Sequence, residues 1–147
     1  MNYSIAQTLL VAAFGLVYLL APGPRLFRPG GGLAIAGDLL CLGGVLLLIA
    51  AIIALRHAVQ VNPAPKSGAT LVRTGVYRRF RHPIYSAMVL VVLGLFLKNG
   101  TLAVAIAGAA LIAFLAAKVR VEERLLAARY PDYADYRRRT WGLLPGL

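Results

Sequence analysis

Apolar residues fall into four long runs that are separated by polar stretches. The runs are Tyr3–Ala21, Leu33–Leu55, Ile84–Leu97 and Thr101–Ala117. A helix needs about twenty apolar residues to cross a bilayer, and a backbone in lipid has to satisfy its hydrogen bonds within the helix. The pattern therefore predicts an all-α integral membrane protein with about four transmembrane helices.

The third run is the shortest, with about fourteen residues before Lys98-Asn99-Gly100 turns the chain. Pro83 suits the first position of a helix, because that position needs no backbone N–H donor. Counted from the turn at 1.5 Å per residue, His82 lies roughly 26 Å down the third helix and Glu122 roughly 33 Å down the fourth. We therefore expect these two residues at the same end of one helical hairpin.

The longest polar stretch inside the chain joins the second and third runs. It contains Asn62-Pro63-Ala64-Pro65, which cannot continue a helix. After the fourth run, the segment "YPDYADYRRR" predicts a short surface helix that Pro131 opens and Arg137 to Arg139 close. We divide the chain into an N-terminal pair of transmembrane helices, residues 1–57, and a C-terminal core, residues 58–147.

Composition and charge predict that the protein lies in a membrane and how it is oriented across that membrane. The chain is 60% hydrophobic with a net charge of +11, and its mean hydropathy of +0.75 exceeds that of soluble domains. Of sixteen Lys and Arg residues, six lie between the second and third runs, seven follow the fourth, and three lie elsewhere. Because cations accumulate on the cytoplasmic side, both termini should be cytoplasmic in a multi-pass protein of a bacterial or archaeal inner membrane.

Membrane topology and anionic lipid headgroups account for the net positive charge. We therefore expect the lipid bilayer as a partner, and we do not expect nucleic acid. The first run has no basic residues ahead of it, and we do not expect it to be a cleaved signal peptide. The single cysteine, Cys41, excludes a disulfide framework. The sequence predicts no oligomeric state.

Few side chains have the types and spacing that chemistry needs. There is no Ser-His-Asp set, no pair of His/Cys metal ligands and no phosphate-binding glycine loop, so we expect no metal. The remaining candidates are Tyr77, the segment His82-Pro83-Ile84-Tyr85, and Glu122-Glu123. Each has a structural alternative: an interfacial aromatic belt for the tyrosines, helix initiation for His82-Pro83, and a solvated helix surface for the glutamates.

Taken in order, three segments resemble one enzyme family. They are "TLVRTGVYRRFRHPIYSAM", "EERLL" and "YPDYADYRRRTWGLLPGL". This combination is similar to the isoprenylcysteine carboxyl methyltransferase family, which belongs with the membrane phospholipid methyltransferases. The resemblance covers roughly residues 60 to 147. It implies an S-adenosylmethionine-dependent methyltransferase whose cofactor site is formed by the C-terminal half, at the cytoplasmic end of the last two helices.

The resemblance also implies roles for individual residues. It assigns cofactor binding to Thr70, Leu71, Val72, Tyr77, His82, Pro83, Tyr85 and Glu122. Within this set, Glu122 would bind the ammonium group of the cofactor, and the sequence alone leaves Glu123 as the alternative for this role. Lys118, one turn earlier, and Arg120 would face the acceptor. On chemical grounds, and not from the resemblance, Glu123 or His82 would be the catalytic base where an amine acceptor has to lose a proton.

The expected reaction is methyl transfer to a lipophilic, membrane-resident acceptor, an isoprenylcysteine-like carboxylate or thiol. A phospholipid amine is the alternative acceptor. An alternative of a different class is a small four-helix transporter, which should carry a charged residue near the middle of a helix. Asp38 comes closest, but it lies only five residues into the second run.

Overall fold

The computed structural model describes residues 3–20, 23–61 and 71–143. Five α-helices and one short 3₁₀ turn follow in chain order: α1 Tyr3–Leu20, α2 Gly31–Val61, the turn Gly75–Arg78, α3 Pro83–Asn99, α4 Leu102–Arg129 and α5 Tyr133–Arg138. Within these described ranges there are two isolated β-bridges and no strand. The predicted all-α fold is confirmed.

Helix lengths agree with a membrane protein. By length and composition, α1, the Gly31–Arg56 part of α2, and α4 can each cross a bilayer. The apolar helix α3 has 17 residues, or about 25 Å at 1.5 Å per residue, and so is shorter than a full span, as its run of apolar residues predicts. Large side chains such as Leu19 and Leu39 are exposed, as lipid-facing positions require.

Two predicted helix boundaries were wrong. We expected the second helix to stop near Leu55, but α2 continues to Val61, because the helix-breaking Asn62-Pro63 comes only there. Apolar runs mark where side chains leave the lipid, not where the backbone stops being helical. The surface helix was expected to open at Pro131, whereas α5 begins at Tyr133 with Asp132 as its N-cap residue.

Glycines let α2 and α3 approach closely. A Cβ atom added at Gly44 would lie 2.8 Å from the backbone oxygen of Ala87, and one at Gly94 would lie 2.6 Å from the backbone oxygen of Gly37. Real side chains do not tolerate such distances, so these positions need glycine. This is the close small-residue packing that membrane helices use in place of a hydrophobic driving force.

The other helix pair is α1 on α4. Buried residues of α1, α3 and α4 form a common core: Phe14, Val89, Val92, Val104, Leu111 and Leu115. Gly108 of α4 lies in this packing, since an added Cβ would be 2.9 Å from Val92 Cγ1. In the α3–α4 hairpin, α3 therefore packs against α2 and α4 packs against α1.

The C-terminal segment folds back onto the residues that precede α3. The Arg81 backbone N–H donates to the carbonyl of Trp141 at 2.8 Å, and the Trp141 N–H donates to the carbonyl of Arg79 at 2.8 Å. The rings of Phe80 and Trp141 meet edge to face with centroids 5.3 Å apart. This pairing holds α5 beneath the start of α3.

Candidate active site

A cavity of about 590 Å³ lies where α3 begins and α4 ends. All helices and the segment before α3 contribute to its wall. The lining residues are Ser4, Gln7, Thr8, Leu55, Leu71, Val72, Tyr77, Arg81, His82, Pro83, Ile84, Tyr85, Lys118, Glu122, Leu126, Tyr130, Tyr133 and Tyr136. Most of the site residues named from sequence are in this set.

Two predicted site residues do not line the cavity. Arg120 is exposed and Glu123 is half-buried, and neither is among the lining residues. On α4, the spacing of Lys118 and Glu122 puts both on one face, while Arg120 and Glu123 point elsewhere around the helix. Thr70 lies outside the described residues.

Glu122 is the only carboxylate among the described residues that line the cavity. Its Oε1 accepts a hydrogen bond from the Tyr85 hydroxyl at 2.7 Å and lies 3.7 Å from Lys118 Nζ. Its Oε2 lies 3.6 Å from His82 Nδ1. The predicted meeting of His82 and Glu122 at one end of the hairpin is thereby confirmed.

His82 is buried at the N-terminus of α3, where its ring stacks on Tyr85 with centroids 5.8 Å apart. Burial lowers the pKa of His82 below its usual value, although Glu122 and Glu123 raise it in part. The imidazole is therefore neutral at neutral pH. Its Nε2 lies 3.5 Å from Glu123 Oε1, yet makes no hydrogen bond to any described residue.

Glu123 joins α4 to the C-terminal segment through ion pairs. Its Oε1 accepts from Arg81 Nε at 2.7 Å, and its Oε2 lies 3.4 Å from Arg137 Nε. The side chains of Glu123 and Arg81 are 12% and 8% exposed. Arg81 also donates to the backbone carbonyls of Arg137 and Thr140. These contacts fix the segment that carries α5 against the start of α3.

Sequence reasoning missed the tyrosines of α5. The Tyr136 hydroxyl donates to the Tyr77 carbonyl at 2.7 Å. Tyr133 is 1% exposed, and its hydroxyl has no hydrogen-bond partner among the described residues. Burial raises the pKa of both Tyr133 and Tyr136 to about 12, so both hydroxyls keep their proton at neutral pH. Their spacing in "YADY" was visible in the sequence, but it did not indicate which way they point.

Sequence reasoning also missed α1. Ser4, Gln7 and Thr8 line the cavity from this helix, and Gln7 Oε1 accepts a hydrogen bond from Lys118 Nζ at 2.6 Å. Polar residues at positions i, i+3 and i+4 of a helix share one face. That spacing within an apolar run is the signal that could have identified them.

Comparison with known proteins assigns the chain to a family. The family model described as phospholipid methyltransferase matches residues 33–133. The chain belongs to the phospholipid methyltransferase family. The matched residues run from the start of α2 to the first residue of α5 and include every site residue predicted from sequence, while α1 precedes them.

Two curated relatives share part of the chain. The cobalt-zinc-cadmium resistance protein CzcN of Cupriavidus metallidurans is 40% identical over 79 residues, which are 53% of this chain and 37% of that protein. The nickel-cobalt-cadmium resistance protein NccN of Alcaligenes xylosoxydans xylosoxydans is 37% identical over 84 residues, 56% of this chain and 39% of that protein. The chain thus spans less than half the length of either relative. No solved structure matches it.

Proposed function

We propose that the protein transfers the methyl group of S-adenosylmethionine to a lipophilic acceptor that reaches the cavity from the membrane. Membership of the phospholipid methyltransferase family supports methyl transfer. The observation that carries the proposal is the position of Glu122, the single carboxylate of the described lining, between His82 and Tyr85.

The residues of the cavity fit this cofactor. A volume of about 590 Å³ is within the range of roughly 300–1,000 Å³ that small-molecule sites occupy. Leu71, Val72 and the Tyr77 ring offer apolar contact to an adenine. His82 Nε2 and the Tyr133 hydroxyl are buried polar atoms without a hydrogen bond among the described residues, and such atoms ordinarily have partners.

Each side chain then has a physical task. Glu122 binds the ammonium group of the cofactor, and the Tyr85 hydroxyl holds that carboxylate in place. A neutral His82 adds no positive charge beside a cationic ligand. Val72 and Ile84 contribute apolar surface to the wall of the cavity. When bound, S-adenosylmethionine supplies a sulfonium methyl group, whose new bond to the acceptor forms as the methyl–sulfur bond breaks and leaves its electron pair on sulfur.

The acceptor is a carboxylate or a thiolate in this proposal. Such a nucleophile needs no base, so alignment and exclusion of water supply most of the acceleration. An amine acceptor has to lose a proton, for which Glu123 or His82 would serve. Both oxygens of Glu123 are already in ion pairs with Arg81 and Arg137, which favours an acceptor that needs no base. Lys118 lines the cavity as a cation for the acceptor to meet.

The proposed site faces the cytoplasm. The fold supports this orientation because few cations lie at the end of the helices opposite the cavity, where Arg25 bridges to Thr101 and Lys98 lies in the last turn of α3. The cation-rich segments lie at the cavity end, where Arg73, Arg81 and Arg137 are found. A polar cofactor would enter from the cytosol, and the acceptor would enter from the bilayer.

The test is transfer of labelled methyl from S-adenosylmethionine by the detergent-purified protein. Three probes separate the acceptor classes: N-acetyl-S-farnesylcysteine, a long-chain thiol, and phosphatidylethanolamine vesicles. We expect label in the acid, released by base as a methyl ester would be, or in the thiol. Label in phosphatidylethanolamine would instead support the phospholipid amine alternative. A folded protein that binds the cofactor and labels none of the three would contradict the proposal.

A further inference from the structure

Helix α1 presents a small polar face to the cavity. Ser4, Gln7 and Thr8 lie on one side of a helix that is otherwise apolar apart from its tyrosines. Polar side chains within membrane-spanning helices are costly, and they commonly face a protein interior where they serve a function. The Thr8 hydroxyl donates to the backbone carbonyl of Ser4 in its own helix. Gln7, in contrast, reaches across to another helix.

Gln7 and Lys118 connect α1 to α4 inside the cavity. Lys118 Nζ donates to Gln7 Oε1 at 2.6 Å and lies 5.0 Å from the centre of the Tyr85 ring. The Lys118 side chain is 12% exposed. The amide nitrogen of Gln7 has the Met88 sulfur at 3.6 Å, and a thioether is a weak acceptor.

These two groups retain donors for a ligand. An ammonium group has three donors and an amide nitrogen has two. Gln7 accepts one hydrogen bond from the Lys118 ammonium. Glu122 Oε1 lies 3.7 Å from Lys118 Nζ, beyond hydrogen-bond distance, and accepts a hydrogen bond from the Tyr85 hydroxyl instead. A partly desolvated cation with unused donors binds an anion more strongly than a solvated one does.

The charges of the cavity determine whether an acidic or a cationic acceptor binds there. Arg81 is paired with Glu123, and burial keeps His82 neutral. Once Glu122 is occupied by the ammonium of the cofactor, Lys118 is the remaining cation among the described lining residues. An acceptor with an ammonium headgroup would be repelled by it, whereas an acidic group would be attracted.

We propose that Gln7 and Lys118 form an oxyanion subsite for the acid group of the acceptor, and that Gln7 is a specificity-determining residue. The inference rests on the proposed function and adds to it a subsite on α1. Gln7 accepts from the Lys118 ammonium on the α1 side of the cavity at 2.6 Å, closer than the 3.7 Å that separates this ammonium from Glu122. Its own amide nitrogen donates to the second oxygen of the acid.

The experiment compares Gln7→Leu and Gln7→Glu with the wild type, using N-acetyl-S-farnesylcysteine as acceptor. Loss of one hydrogen bond to a charged group weakens binding by roughly ten- to a hundredfold. Gln7→Leu should therefore raise KM for the acid by about that factor and leave kcat and cofactor affinity within about twofold. Gln7→Glu should raise KM further, because its carboxylate neutralises Lys118 and repels the acid.

The matched control is Leu9→Ala on the same helix, where the side chain is 64% exposed and does not line the cavity. Its KM should equal that of the wild type. If leucine disturbs packing, Gln7→Met removes the amide with less change of shape. Unchanged KM in all three Gln7 variants, or an equal loss of kcat and cofactor affinity, would overturn the inference.

Failure of the proposed function gives a different result. A folded wild type that binds no S-adenosylmethionine in calorimetry would refute the methyltransferase proposal, and the subsite with it. A wild type that binds the cofactor but methylates phosphatidylethanolamine in preference to the acid would overturn the acid subsite and the acid acceptor, while cofactor binding and methyl transfer would stand. The two failures are therefore distinguishable before any Gln7 variant is made.

Discussion

The neighbouring residues Glu122 and Glu123 should respond differently to the same chemical change. Replacing either with glutamine removes a charge and nearly preserves shape. Glu122 lines the cavity with a 34% exposed side chain, whereas Glu123 lies in ion pairs outside it. We predict that Glu122→Gln weakens cofactor binding with little loss of stability, and that Glu123→Gln lowers stability.

The size of the Glu123 effect follows from burial. Arg81 is 8% exposed and depends on Glu123 Oε1 at 2.7 Å for its charge partner. Removing one member of a buried ion pair costs about 3 kcal/mol or more, because the remaining charge is uncompensated. For a chain of this size each kcal/mol shifts the melting temperature by about 2–4 °C. Glu123→Gln should therefore lower Tm by roughly 6–12 °C.

Glu122→Gln should have the opposite profile. Its contacts with Lys118 and His82 are longer than hydrogen bonds, at 3.7 Å and 3.6 Å, and the side chain is partly solvated. A partly exposed ion pair contributes about 1 kcal/mol or less, so Tm should fall by only a few degrees. Loss of a charged partner for the cofactor ammonium should weaken binding by roughly ten- to a hundredfold.

Two assays on each purified variant separate these effects. Calorimetry gives the affinity for S-adenosylmethionine, and the emission of Trp141, the single tryptophan, follows unfolding. Trp141 packs on Phe80, so its emission also reports release of the C-terminal segment, which Glu123→Gln should promote. Loss of cofactor binding in Glu123→Gln at unchanged Tm, together with intact affinity in Glu122→Gln, would refute the roles assigned to these two residues.

Three further predictions concern pH, the site and the packing. Burial raises the pKa of Tyr133 and Tyr136 from an ordinary value of about 10 to about 12, so the stability that they contribute is complete below pH 10 and lost as pH rises towards 12; a Tm that stays constant between pH 10 and 12 would contradict this. Tyr85→Phe removes the hydroxyl that donates to Glu122 and should weaken cofactor binding about tenfold in calorimetry, whereas unchanged affinity would argue against the role of that bond. Gly44→Ala should lower the free energy of unfolding by roughly 1–3 kcal/mol through overpacking, which would be seen as a lower Tm. Gly43→Ala is the control and should behave as wild type, because no atom lies within 4 Å of a Cβ added there. Equal effects of the two variants on Tm would contradict the close packing at Gly44.

Much of the fold follows from local pattern. Apolar runs locate the membrane helices, since lipid permits little else. Pro83 marks the start of α3, and Pro63 in the sequence follows the last residue of α2 by two positions. Proline stands at such boundaries because it lacks the backbone donor that a helix interior needs. Counting 1.5 Å per residue from one turn was enough to place His82 and Glu122 at the same end of the hairpin.

Contacts between distant segments could not be predicted in this way. Gln7 meets Lys118 across 111 positions of sequence, and nothing local indicates that α1 packs on α4. The direction of adjacent side chains was equally hidden, because Glu122 and Glu123 differ by 100° around a helix whose orientation only packing determines. The α5 tyrosines depend on Arg81, whose bonds to the C-terminal segment hold α5 under the cavity.

The measurement that tests the central claim most directly is a calorimetric titration of S-adenosylmethionine into the detergent-purified wild type. The account predicts one site per chain with micromolar affinity, weakened in Glu122→Gln and retained in the exposed-face variant Leu9→Ala. Absence of binding by a protein that still melts cooperatively would contradict it. So would binding that Glu122→Gln leaves unchanged, because the cofactor would then lie elsewhere.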